Sequence, residues 1–262
     1  MDSPIKYYLY DAVVNIFNTQ RSDYDNEPIA QKTIYNGYLI QSKTLKSRKN
    51  LEDVVHVAQS KIIEALEFVG DIDKETTILV YDNIYKEQEH RYGFATYDGT
   101  KIEVNYKQPH VIYHEIGHNK DFKQTPRPSD SKKFKPICDA FLREVDNYEQ
   151  ELKQLALNQI KYENTTKTES EVLGLFKNIW KREYEYLTSN EEIYARLFYE
   201  HIRVNNPHLD LPNPTNPYEQ LAEICYENNR ELISEYFKSE YPHLIQPMMS
   251  EDDFQMSDTL SL

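Results

Sequence analysis

His114, Glu115 and His118 form an H-E-x-x-H pattern within the stretch Tyr113-His114-Glu115-Ile116-Gly117-His118-Asn119-Lys120-Asp121. On an α-helix, residues i and i+4 lie on one face about a turn apart. Both imidazoles can then reach a single Zn2+ ion at about 2.0–2.1 Å, with Glu115 beside the open side of the metal. The chemistry of such a set is metal-assisted hydrolysis. Zinc acidifies water towards a pKa of about 7, and the neighbouring carboxylate takes the proton.

Three fixed letters make a short pattern, so the surrounding residues carry weight. Pro109 suits a first helical turn, where its missing N–H costs nothing. Val111, Ile112 and Tyr113 give the helix apolar anchorage ahead of the motif. Gly117 costs about 1 kcal/mol against alanine inside a helix, which calls for a packing reason such as the close approach of another element.

A catalytic zinc takes three protein ligands and leaves one position for water. A third histidine six residues past His118 is ruled out, because Gln124 stands there, and Asp121 occupies the place where that arrangement needs glycine. A glutamate on a later helix is the alternative. The best candidate lies in Ser189-Asn190-Glu191-Glu192-Ile193-Tyr194-Ala195-Arg196-Leu197-Phe198, where Glu192 is followed three residues later by a small alanine. Ser189-x-x-Glu192 also reads as a capping box, in which the carboxylate only satisfies a helix terminus.

The pattern H-E-x-G-H-x-x-D, carried by His114, Glu115, Gly117, His118 and Asp121, is joined downstream by Asn190, Glu192, Tyr194, Ala195 and Phe198. Together they resemble the catalytic domain of anthrax lethal factor and its relatives, including the clostridial Pro-Pro endopeptidases. The similarity covers roughly residues 100–205. It implies a gluzincin-type metallopeptidase with His114, His118 and Glu192 as zinc ligands and Glu115 as the base. It also implies an oxyanion-assisting tyrosine shortly before the second motif, with Tyr186 nearest that position. One residue fewer separates Asn190 from Glu192 than in the family pattern, so Tyr184 rivals Tyr186, and Glu191 is a weaker rival to Glu192. The spacer between the motifs is also longer here.

The expected activity is a zinc-dependent endopeptidase acting on a protein substrate. Asp121, one turn past His118, either orients a ligand imidazole or sits solvated at the helix end. His201 is a further rival for the oxyanion role, or else a surface residue. Two other readings compete: a zincin-like binding module without catalysis, and a helical interaction domain whose H-E-x-x-H is accidental.

The sequence must also supply elements that hold these residues. Its 262 residues, 39% hydrophobic and 28% charged, suffice for a substantial core. The net charge of −14 disfavours nucleic acid and would attract basic peptides. With the resemblance, it points to a basic or proline-containing segment of another protein. Cys138 and Cys225 imply no disulfide framework. No apolar run approaches a membrane span, and the opening Met1-Asp2-Ser3-Pro4 carries no conventional secretory signal. A cytoplasmic regulatory protease and a toxin-like effector exported by another route both fit.

Residues 6–17 and 34–41 read as strands, followed by an amphipathic helix from an Asn50 cap to a Gly70 stop. Residues 76–81 read as a central strand, and 92–106 as a hairpin turning at Asp98-Gly99. Ile102, Val104 and Tyr106 would then line an edge strand on which an extended substrate pairs. Helices are expected over 136–161, 169–187, 191–204 and 218–237, with a proline-rich connector at 206–217. The expected architecture is α+β: a zincin-like domain over 1–245, with its sheet in 1–108 and helices in 109–245, then a disordered tail at 246–262.

Overall fold

The computed structural model describes residues 29–43, 51–70, 72, 74–81, 93–96, 98–105, 108–163, 168–214 and 217–245. The expected strand at 6–17, the Asn50 cap, Tyr106 and the tail at 246–262 lie outside the described residues.

Residues 34–41 are not one strand. Strands β1 (Ile29–Tyr35) and β2 (Tyr38–Lys43) meet at Asn36-Gly37, where φ is 47° and 89°. A two-residue hairpin of this kind needs positive φ at both positions, and Asn-Gly is the pair that adopts it most readily. Helix α1 (Leu51–Val69) then returns the chain to β3 (Thr77–Tyr81), parallel to β2. Ala58, Ile62, Ala65, Leu66 and Val69 form its buried face, and Gly70, with φ of 57°, ends it. Ile78, Leu79 and Val80 are all buried, as expected of a strand covered on both faces.

The hairpin is present as β4 (Gly93–Ala95) and β5 (Lys101–Asn105). It closes at Thr96 and Lys101 rather than through two residues at Asp98-Gly99. The Thr96 amide bonds the Lys101 carbonyl at 3.0 Å, and Gly99 sits at φ of 66°. The five strands run in the order β1-β2-β3-β5-β4. This corrects the expected edge. β5 is hydrogen-bonded to β3 on one side and β4 on the other, and Ile102 and Val104 are fully buried. Neither can pair with a substrate; among the described residues the outer strand beside β5 is β4.

A short 3-10 turn at Pro109–Val111 leads into α2 (Ile112–Phe122). Then come α3 (Lys135–Glu163), α4 (Glu169–Leu187), α5 (Asn190–Asn205), α6 (Pro217–Asn228) and α7 (Arg230–Glu240). A reciprocal Thr168–Glu171 capping box starts α4. The single helix expected over 218–237 is broken at Asn229, whose side-chain amide donates to the Cys225 carbonyl at 3.0 Å and ends α6.

The fold is therefore α+β, with one connected set of buried apolar residues running from Tyr38 to Leu244. Helix α5 runs through its centre, buried from Ile193 to Ile202. Tyr194 and Phe198 pack there against Phe134, Tyr236 and Phe237. Both cysteines are free and buried, and burial pushes each thiol up to about 12. No helix among the described residues is long and apolar enough to cross a membrane.

Candidate metal centre

Helix α2 brings His114 and His118 to one face, and α5 crosses that helix with Glu192 in its first turn. Gly117 explains how closely the two pass. A Cβ added there would stand 3.0 Å from the Ala195 Cα and 3.2 Å from Phe198 Cδ1. Glycine on one helix and alanine on the other thus set the spacing of the polar groups.

The donor atoms converge. His114 Nε2 and His118 Nε2 are 3.1 Å apart, Glu192 Oε2 is 3.6 Å from His114 Nε2, and Glu192 Oε1 is 3.4 Å from His118 Nε2. Ligands at tetrahedral angles on bonds of about 2.0–2.1 Å stand about 3.3 Å from one another. The three residues could hold a metal ion, and no other such group of His, Cys, Asp or Glu occurs among the described residues.

Electrostatics favour the required protonation states for two of the three. Burial lowers the His114 pKa to about 4, so its imidazole is neutral at pH 7. At Glu192 burial acts upward, but Arg196 and the two histidines outweigh it and hold the carboxyl well below its usual range. Burial acts downward on His118, yet bonding to Glu192 and the charges of Glu192 and Glu115 raise it. A bound cation would oppose that protonation, as metal binding displaces protons from its ligands. The His118 ring also stacks on Phe122, with centroids 5.5 Å apart.

Glu115 is buried beside this group, and its charge acts on both His118 and Tyr186. Ser189 does stand at the N-cap of α5, but its side chain makes no capping bond; Ser189 Oγ donates instead to the Tyr186 carbonyl. The capping-box reading of Glu192 thus fails. Glu191 is outside the metal-ligand group.

The two tyrosines separate cleanly. Tyr186 keeps 47% of its surface exposed, yet its hydroxyl end is enclosed, and burial together with the Glu192 charge raises its pKa. Tyr184 turns the other way, onto Trp180 and towards Asp146 and Glu149 on α3. Of the two, Tyr186 is the one beside the His114–His118–Glu192 group.

No protein-family model, curated protein or solved structure matches the chain. The site therefore stands on its own geometry.

Two expectations are corrected. Asp121 does not orient an imidazole. Its carboxylate accepts from the Ser129 amide at 2.8 Å and the Ser129 hydroxyl at 2.7 Å, and His118 Nδ1 has no hydrogen-bond partner among the described residues. Nor is Asp121 solvated; it is fully buried and fastens the Pro128–Asp130 turn, from which Asp130 accepts from Asn190 at the start of α5. His201 is neither a surface residue nor part of the site. It lies in the core with Nδ1 2.9 Å from the Tyr226 hydroxyl.

Sequence reasoning missed Arg196 and Tyr218. Arg196 donates to Glu192 Oε2 at 3.0 Å, and its guanidinium lies over the Tyr186 and Tyr218 rings at 5.3 and 5.2 Å. The Glu192–Arg196 spacing of i, i+4 was a readable signal for the pair. Tyr218 lies in the first turn of α6 and carried no comparable signal.

Proposed function

We propose that the protein is a zinc-dependent endopeptidase with a zincin-like catalytic domain. The observation that carries this reading is the convergence of His114 Nε2, His118 Nε2 and Glu192 at separations of 3.1–3.6 Å beside a buried Glu115. A metal centre with a purely structural task has no use for that additional carboxylate. The resemblance of the two motifs to the lethal-factor-type peptidases points the same way. Two imidazoles with one carboxylate suit zinc, whereas magnesium and calcium prefer all-oxygen sets.

Zinc held by these three residues supplies Lewis acidity, acidifying water and polarising a carbonyl. Glu115 accepts the proton of the attacking water and delivers it to the leaving amine. Tyr186 donates its hydroxyl proton in a hydrogen bond to the oxygen that gains charge as the peptide carbonyl becomes tetrahedral. Its raised pKa keeps it protonated for that role at neutral pH. An extended peptide has β4 available, the outer strand among the described residues, which lies against α2. Substrate pairing is thus reassigned from Ile102, Val104 and Tyr106 to Gly93–Ala95. A net charge of −14 favours a basic peptide there.

Two variants, compared with wild type, test the proposal. Wild type should purify with about one zinc per chain and cleave members of a peptide library; Glu192→Ala should lose the metal. Glu115→Gln should keep the metal and lose about 10²–10⁴-fold in kcat/KM, the range for removing a general base. Zinc-loaded wild type that cleaves no peptide, or undiminished cleavage by Glu115→Gln, would overturn the protease mechanism.

A further inference from the structure

We infer that Arg196 is the positioning residue of the metal centre. One guanidinium fixes how Glu192 presents its oxygens and where the Tyr186 phenol points. The inference rests on the metal-binding reading above and adds a residue that neither motif specifies.

Arg196 is only 8% exposed, and a guanidinium removed from water to that extent is costly unless it is well paired. Its pairing is incomplete: one nitrogen donates to Glu192 Oε2 at 3.0 Å, and Nε has no partner among the described residues. Arg203, seven residues along the same helix, shows what a fastening arginine looks like. It donates to Glu200 through Nε and a terminal nitrogen at 2.9 and 2.6 Å, to Glu223 at 2.7 Å and to Asn213 at 3.2 Å. Arg196 instead spends its one strong bond on a carboxylate that already faces two imidazoles.

That bond has a geometric consequence. Glu192 and Arg196 are i and i+4 on α5, so the helix fixes their mutual direction. With Oε2 accepting from the guanidinium, Oε1 would be the freer oxygen for a cation, and Glu192 would bind it through one oxygen. The guanidinium meanwhile lies over the rings of Tyr186, from the last turn of α4, and Tyr218, from the first turn of α6, which meet each other edge to face. Three helices meet on a single cation, and one of those rings belongs to the oxyanion donor.

The test uses the full chain loaded with Co²⁺, whose visible bands report coordination number, with affinity measured by chelator competition. Arg196→Gln should weaken Co²⁺ binding about 10–100-fold, the usual cost of losing a group that orients a metal ligand. Its visible bands should lose intensity as the second Glu192 oxygen joins the metal. Arg196→Lys, which keeps the charge but not the fork, should show the same spectral change. An arginine that only stabilises the fold would lower the Tm of these variants and leave affinity and spectrum unchanged, which would overturn the inference. Should circular dichroism show both variants unfolded, Tyr218→Leu decides. It removes one ring and leaves the ion pair, and should weaken binding about threefold with a shifted spectrum, the worth of a modest cation–π contact. An unchanged Tyr218→Leu would equally overturn it. Wild type that binds no Co²⁺ would instead remove the metal-binding reading itself.

Discussion

At the start of α5, Glu192 and Arg196 face two imidazoles and two phenols; nine residues past Glu192, His201 faces a phenol and an amide. The residue types are alike, yet the arrangements differ. At the far end the groups are paired with partners of opposite character, save His201 Nε2, which has none among the described residues. His201 Nδ1 meets the Tyr226 hydroxyl, Asn205 donates to that hydroxyl at 2.9 Å, and Arg203 is spread over Glu200 and Glu223. At the near end, two imidazole nitrogens point at each other and share one carboxylate. Polar groups that complete one another fasten a fold; those that converge with their lone pairs on one point are arranged for something else. The difference between the two ends of one helix is the difference between a stability device and a candidate active centre.

The sharpest way to break that comparison is at the tyrosines. Tyr186→Phe removes one hydroxyl from the near end and should lower kcat by about 10²–10³, the cost of losing one oxyanion donor, with KM little changed. Tyr184→Phe should leave kcat as it is. Steady-state kinetics on one cleaved peptide checks both; equal losses in the two variants would mean that α4 presents neither phenol to the reaction.

The far end answers to pH. Burial, with a smaller contribution from the Lys238 charge, lowers the His201 pKa from 6.5 to about 4. The folded state therefore binds this proton less readily than the unfolded chain. Stability from the neutral imidazole is fully present above pH 6.5 and is lost as pH falls towards 4, about 3 kcal/mol in all. Urea unfolding of wild type and His201→Gln in the same metal state should show a shallower acid loss in the variant. Identical slopes would mean that His201 does not carry it.

These two ends were unequally legible in the sequence. The H-E-x-x-H helix follows from short-range spacing, whereas Glu192 was singled out as the candidate third ligand by the resemblance of its motif, the residues alone leaving the capping-box reading level with it; α4 runs over the residues expected of it. Tyr184 and Tyr186 could not be told apart, because two residues along a helix turn the side chain by about 200°, and the phase depends on which face α4 buries. The place of β5 inside the sheet was hidden for a related reason. Strand order is set by non-local pairing, whereas alternation along β5 reveals only its two faces. Asp121 escaped because its partner Ser129 arrives through a loop. The Asn36-Gly37 turn and the Glu192–Arg196 spacing, by contrast, were readable and went unused.

Two helical glycines give the smallest and cleanest test of what holds the near end together. Gly174 on α4 has open space where a Cβ would go, so Gly174→Ala should stabilise the protein by up to about 1 kcal/mol through helix propensity alone. Gly117→Ala gains the same propensity but places its methyl 3.0 Å from the Ala195 backbone, and overpacking of this kind costs about 1–3 kcal/mol. A flexible side chain could yield; the backbone in the second turn of α5 yields only by moving the helix. Since that helix carries Glu192, the displacement should appear twice, as lower stability in urea and as weaker metal binding by chelator competition. A Gly117→Ala protein as stable as Gly174→Ala, with wild-type metal affinity, would show that the Gly117–Ala195 contact does not set the distance between the histidines and their third ligand.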